Sequence, residues 1–183
     1  LAVASVTPAG STTGARYTAL VMGEVTLDAE LLLPIELTGT LAIDSLQVNT
    51  AAAGFARLDW TTAFGAQVLD PGQELPTPRA LPIELPGSLE LQLSGSVTGD
   101  PTNEDQFLAL GPVTLSGSAA FGLRRQTLDV DTNGDGVADL LGATVTAVAV
   151  NVDGATLEID GVVTATVSGN LAVASVTPAG STT

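Results

Sequence analysis

The chain has 183 residues and twenty carboxylates against five cationic side chains, for a formal net charge of −15. It contains no Cys, no His and no Lys, every cation being an arginine: Arg16, Arg57, Arg79, Arg124 and Arg125. That inventory excludes Ser-His-Asp and Cys-His nucleophile pairs, zinc held by N or S ligands, disulfides and Schiff-base lysines. Its acidity speaks against nucleic acid and anionic membranes as partners, since both are held by Lys/Arg clusters.

Hydrophobic residues make up 45% of the chain, enough for a core, and only 14% are charged. No run approaches the roughly 18–20 apolar residues of a transmembrane helix. A start at Leu1, without Met, reads as an internal or processed fragment. Period-two alternation of Val, Leu, Ile and Thr predicts strands near 1–7, 16–28, 31–48, 55–61, 80–98, 106–121, 123–130, 143–152 and 155–168.

In chain order, the first strand runs into Thr7-Pro8, where proline ends any ladder. A bulge or bend is expected at Thr38-Gly39, and Thr50–Phe55 has room for one short helical turn. Trp60 is expected in the core or as a plug at the sandwich end. Residues 70–82, with four prolines, form a surface loop, and 99–105 form another. Leu33–Leu41 is echoed by Leu81–Leu89, either a duplicated hairpin-sized unit or two edge strands of similar pattern. Arg124 and Arg125, being adjacent on a strand, must point to opposite faces. Residues 144–152 and 155–167 are expected to form a hairpin around Asp153-Gly154, a dipeptide suited to a type I′ turn. The fold expected is all-β, a β-sandwich of about nine strands with Greek-key or jelly-roll-like connections.

Residues 1–13, LAVASVTPAGSTT, recur without a change at 171–183. The chain therefore divides into one unit, 1–170, followed by the start of a second copy. Three readings are open: a covalent tandem array of identical domains, a donor strand that pairs with a neighbouring subunit, or a duplication without biological meaning.

The sharpest local motif is Asp129-Val-Asp131-Thr-Asn133-Gly-Asp135-Gly-Val137-Ala-Asp139. Oxygen ligands at alternate positions converge on one centre, and Gly136 permits the tight turn a hard cation needs. Counted from Asp131, the segment resembles the calcium loops of thrombospondin type 3 repeats and dockerins over about ten residues. The resemblance implies a structural Ca2+ held by Asp129, Asp131, Asn133, Asp135, the Val137 carbonyl and Asp139. It departs from the EF-hand pattern at Gly142, which stands in place of a bidentate Glu.

Carboxylates for glycoside hydrolysis exist in Glu24, Asp28, Glu30, Asp59 and Glu74, but no spacing singles out a pair. No enzyme is expected. The composition, the repeat and the loop together resemble tandem-repeat extracellular adhesin and fibre proteins. That resemblance implies a load-carrying or spacer domain at the cell surface, joined to identical copies of itself. A filament assembled by strand exchange, or a module binding carbohydrate or lipid, are the alternatives.

Overall fold

The computed structural model describes residues 1–10, 14–28, 31–32, 36–37, 39–100, 102–110, 112–159 and 162–180. Its strands are β1 (Ala2–Val6), β2 (Tyr17–Asp28), β3 (Leu31–Leu32), β4 (Glu36–Leu37), β5 (Thr40–Ala51), β6 (Leu89–Thr98), β7 (Gln106–Leu110), β8 (Val113–Ser116), β9 (Ser118–Val130), β10 (Leu140–Ile159) and β11 (Val163–Thr177). Nine form one antiparallel sheet in the order β1-β2-β5-β6-β9-β10-β8-β7, with β11 along the other edge of β10. The two remaining strands, β3 and β4, pair with each other. The protein is all-β and sandwich-like. Its strand order follows the chain more closely than a Greek key does, as a meander from which β3–β4 are set off as a separate pair, with one excursion within the sheet, β7–β8.

That excursion explains the layering. β8 and β9 are one path along the edge of β10, pairing with Thr156–Ile159 and with Leu140–Val152 in turn. Between them Gly117 takes φ +113°, and in β10 the register slips between Val152 and Ala155. Gly39, before β5, takes φ +117°, and the Gly99 N–H donates to the Gly117 carbonyl at 2.9 Å. Glycines at positive φ and bulges are the devices that bend strands. Here they lie on neighbouring strands and turn the sheet along one line. Beyond it, Phe107 packs with Leu41, Ile43, Val97, Phe121 and Ala155, a buried cluster on one sheet face.

The opposite face is covered differently. Residues 52–88 form no ladder; they lie as an irregular lid over β1 and β2, burying Trp60, Ile83 and Leu85 against Ala2, Ala19 and Val21. The expected strand at 55–61 is thus irregular, a bend at Phe55 followed by four residues without a ladder and a turn from Trp60, and the strand expected from residue 80 begins only at Leu89. The alternation there was real: Ile83 and Leu85 are buried while Glu84 is exposed. Pro82 and Pro86 remove the donors a ladder needs, so the segment packs without one. Residues 52–55 form a turn, with no helix.

The expected hairpin around Asp153-Gly154 is also corrected. β10 runs straight through these two residues, and the chain reverses between Ile159 and Val163 instead. Gly154 takes φ +66° as a bulge, and its N–H donates to Ser168 Oγ at 2.9 Å. Residues that permit a turn also permit a bulge. Ladders on both flanks of Thr156–Ile159 favour the longer strand. Of the other expectations, Leu33, Pro34, Ile35 and Thr38 lie outside the described residues.

Candidate functional site: the acidic loop and the duplicated edge strands

The acidic loop joins β9 to β10 and is exposed over most of its length. Asp131 accepts N–H bonds from Asn133 (3.0 Å) and Gly134 (2.7 Å) on Oδ1 and from Gly136 (2.7 Å) on Oδ2. Asn133 Oδ1 accepts from the Asp135 N–H and Asp135 Oδ1 from the Val137 N–H, both at 2.8 Å. Asp139 Oδ2 accepts from the Thr132 N–H (2.8 Å) and hydroxyl (2.6 Å), closing the loop base. Asp129 stands outside this circuit, accepting from the Gly142 N–H at 2.7 Å. Gly134 and Gly136 take φ +81° and +85°, which L side chains rarely adopt.

Of the predicted ligand residues, Asp131, Asn133 and Asp135 thus form a chain of Asx turns, Asp139 closes its base, and Asp129 lies apart at the end of β9. Among the described residues, no group of three or more His, Cys, Asp or Glu side chains is gathered as a metal-ligand set. A carboxylate has about four lone-pair sites, so the single bonds to Asp129 and Asp135 leave acceptor capacity on both.

The amide bonds have an electrostatic signature. The Gly136 and Gly134 N–H groups hold Asp131 below its ordinary value of 3.8, and the Thr132 hydroxyl and N–H do the same for Asp139. A carboxylate whose folded pKa is depressed stabilises the fold above its unfolded pKa and loses that contribution as pH falls through the folded value. Both carboxyl groups are therefore expected to titrate below 3.8, with protection of the Gly134 and Gly136 amides, taken relative to intrinsic exchange at each pH, falling only beneath that pH. A 13C titration showing Asp131 at or above 3.8 would contradict the amide bonds.

Of the remaining candidates, Glu24 faces Arg79 at 3.7 Å, Asp59 accepts from the Thr61 N–H, Glu74 lies in the 3-10 turn Pro71–Glu74 and Asp28 ends β2; Glu30 is outside the described residues. Arg125 pairs with Glu90 at 3.3 Å, and Arg57 reaches the same carboxylate at 3.4 Å. Asp100 accepts from Thr102 within its own turn. Trp60 is 2% exposed, so nothing can stack on it from solvent.

Sequence reasoning missed Asn49, the one buried polar residue among those described. Its Nδ2 donates to the Leu58 (2.9 Å) and Pro86 (3.1 Å) carbonyls, and its Oδ1 accepts from Trp60 Nε1 at 3.0 Å. Alternation gave no signal for it: Asn49 falls on the polar side of β5 with Ser45 and Gln47, and is buried only because residues 52–88 cover that face.

The duplicated segment occupies two edges of the main sheet, β7 forming a third beside β8. Residues 2–6 are β1, paired only with β2. Residues 171–177 are the second half of β11, paired with Thr144–Val150 of β10. The same residues differ in burial: Ala2 is buried and Ala4 half-buried beneath the lid, while Ala172 and Ala174 are exposed. Beside them, an open groove of about 440 Å³ runs over β6, β9, β10 and β11, floored by Ser94, Gly122, Ala147, Ala149, Ala172 and Ala174.

The fold and these two features define an all-β protein in which two of the sheet's outer edges carry one repeated sequence. No protein-family model, curated protein or solved structure compared with the chain matches it. No helix among the described residues is long and apolar enough to cross a membrane.

Proposed function

We propose that this chain is a structural repeat of an extracellular fibre or surface adhesin, joined end to end with identical copies of itself and stiffened by calcium. One observation carries the reading: an unchanged 13-residue sequence supplies two outer strands of one sheet, β1 and the second half of β11. Packing alone tolerates substitution at exposed positions. Identity across the exposed turn residues therefore points to copies of one unit. The lack of His, Cys and Lys supports a non-catalytic role. The test is the size of the native polypeptide on a denaturing gel, detected with an antibody against residues 171–183. A band many times 18.2 kDa is expected. A heat-released species near 18.2 kDa would overturn the covalent array in favour of a strand-exchanged filament.

Calcium is the second element of the proposal, supported by the alternation from Asp131 to Asp139 and by the spare acceptor sites of Asp129 and Asp135. A site with a Kd of roughly 10⁻⁴–10⁻³ M suits an extracellular module. At about 10 mM calcium such a site stabilises the fold by about 1.4–2.7 kcal/mol. For a domain of this size that raises the Tm by about 3–10 °C. The shift is expected to vanish in chelator and in Asp135→Ala. A Tm indifferent to calcium would remove the ion from the proposal and leave the repeat reading intact.

A further inference from the structure

We infer that successive copies share a strand: residues 171–177 of one copy are β1 of the next, bonding β10 on one flank and the following copy's β2 on the other, so that one sheet runs through the joint. This deepens the end-to-end reading and rests on it. Four observations carry it.

The first is direction. Six antiparallel steps separate β1 from β11 across the sheet, so the two run the same way. A unit with an even number of steps can repeat without reversing a strand.

Face is the second. One row of directly opposed residues reads Ala2, Val21, Gln47, Gln92, Arg124, Ala147, Ala174. Opposed residues share a sheet face. Ala2 is the counterpart of Ala172, so the row arrives two residues further along the repeated segment, about 7 Å of strand. An even offset keeps every side chain on its own face; an odd one would turn the strand over. Direction and face being equal, chirality sends each residue's N–H and C=O to the same flank in both copies. Because β2 and β10 lie on opposite flanks, they use alternate residues, and one strand can serve both.

Length is the third. β2 spans Tyr17–Asp28, yet β1 pairs with it only from Tyr17 to Val21. Continuing that register sets Leu1 opposite Met22 and brings the residues before the repeat boundary alongside Gly23–Asp28. In β11 these residues, 163–170, are already extended and bonded to β10. The strand is long enough to match the whole of β2.

Covering is the fourth. Ala2 and Ala4 lie under Trp60, Ile83 and Leu85, whereas Ala172 and Ala174 lie bare at the rim of the groove. On the other face, Leu171 and Val173 are 54% and 58% exposed beside Val150 and Val148. A following copy would bring its own lid over the alanines. It would also bring Met22 and Leu20 against Leu171 and Val173, linking the apolar rows of the two units.

The test is amide hydrogen exchange on a chain of two complete copies, residues 1–170 followed by 1–183. At the junction, consecutive amides from Ala172 to Val176 are expected to be protected. In the final copy of the same segment only alternate amides are, with at least a hundredfold difference at the others. As a second readout, Ala174→Glu at the junction is expected to lower the melting temperature, while the same change in the final copy leaves it unchanged. Alternate protection in both segments, with each copy keeping the exchange pattern of the single chain, overturns the shared strand and leaves an array of separate domains. If the two-copy chain loses the single-copy pattern altogether, the end-to-end reading itself falls, and the shared strand with it.

Discussion

Trp60→Ala is expected to destabilise the fold by about 3–5 kcal/mol, which at this chain length lowers the Tm by about 6–20 °C. Trp60 is the largest side chain of the lid and is buried against the β1–β2 end of the sheet. Its loss empties that space and also leaves Asn49 Oδ1 without its donor. The reciprocal change, Asn49→Ala, orphans the indole N–H and the Leu58 carbonyl, the Pro86 carbonyl keeping the Leu89 N–H, at a cost of about 2–6 kcal/mol given about 1–3 for each of the two groups left unsatisfied. Urea unfolding of both variants and their double mutant is the check. Because they share one bond, the double loss is expected to fall short of the sum. Strict additivity would mean that the amide and the indole do not meet. Since the lid covers β1, both variants are also expected to speed amide exchange in Ala2–Val6.

Gly99→Ala is expected to cost about 3 kcal/mol, the upper range for overpacking. A methyl group there runs into the backbone carbonyl of Asp105, which cannot swing aside as a flexible side chain can. The same residue holds the bend, donating to the Gly117 carbonyl, while the Gly117 N–H donates to Asp105 at 2.8 Å. Gly122→Ala is the matched control: nothing lies within 4 Å of its added carbon. Removing a strand glycine there is expected to stabilise by about 0.5–1 kcal/mol. Opposite signs for the two substitutions in thermal unfolding would locate the bend at residues 99–117; a neutral Gly99→Ala would contradict it.

Both effects bear on the role proposed for the chain. A domain that transmits load through its edges needs a sheet of defined curvature and an outer strand that stays in place. The bend sets the first, and the lid, tied down through Asn49 and through Arg57 to Glu90 of β6 and Thr127 of β9, secures the second.

Much was legible in the residues alone. Alternation of Val, Leu, Ile and Thr determined an all-β chain, and the outer strand at residues 1–7 and the paired strands flanking the acidic loop lie where the pattern put them. The repeat was visible letter by letter. So was the acidic loop, because glycines at positions of positive φ and Asx residues at alternate places are local chemistry. Alternation reports only which side of an extended segment is apolar, and that is also where it failed. Ile83 and Leu85 alternate as strand residues do, yet they bury themselves in a lid without a ladder, since whether a partner with free donors lies alongside is not a local property. Asp153-Gly154 suits a turn and a bulge equally; the ladders flanking β10 on both sides chose the bulge. The repeat shows the same division. That one segment occurs twice is a fact of sequence. That its two copies stand at opposite edges, run in one direction and present one face was decided by register across six strand pairings, each set by side-chain packing between residues far apart in the chain.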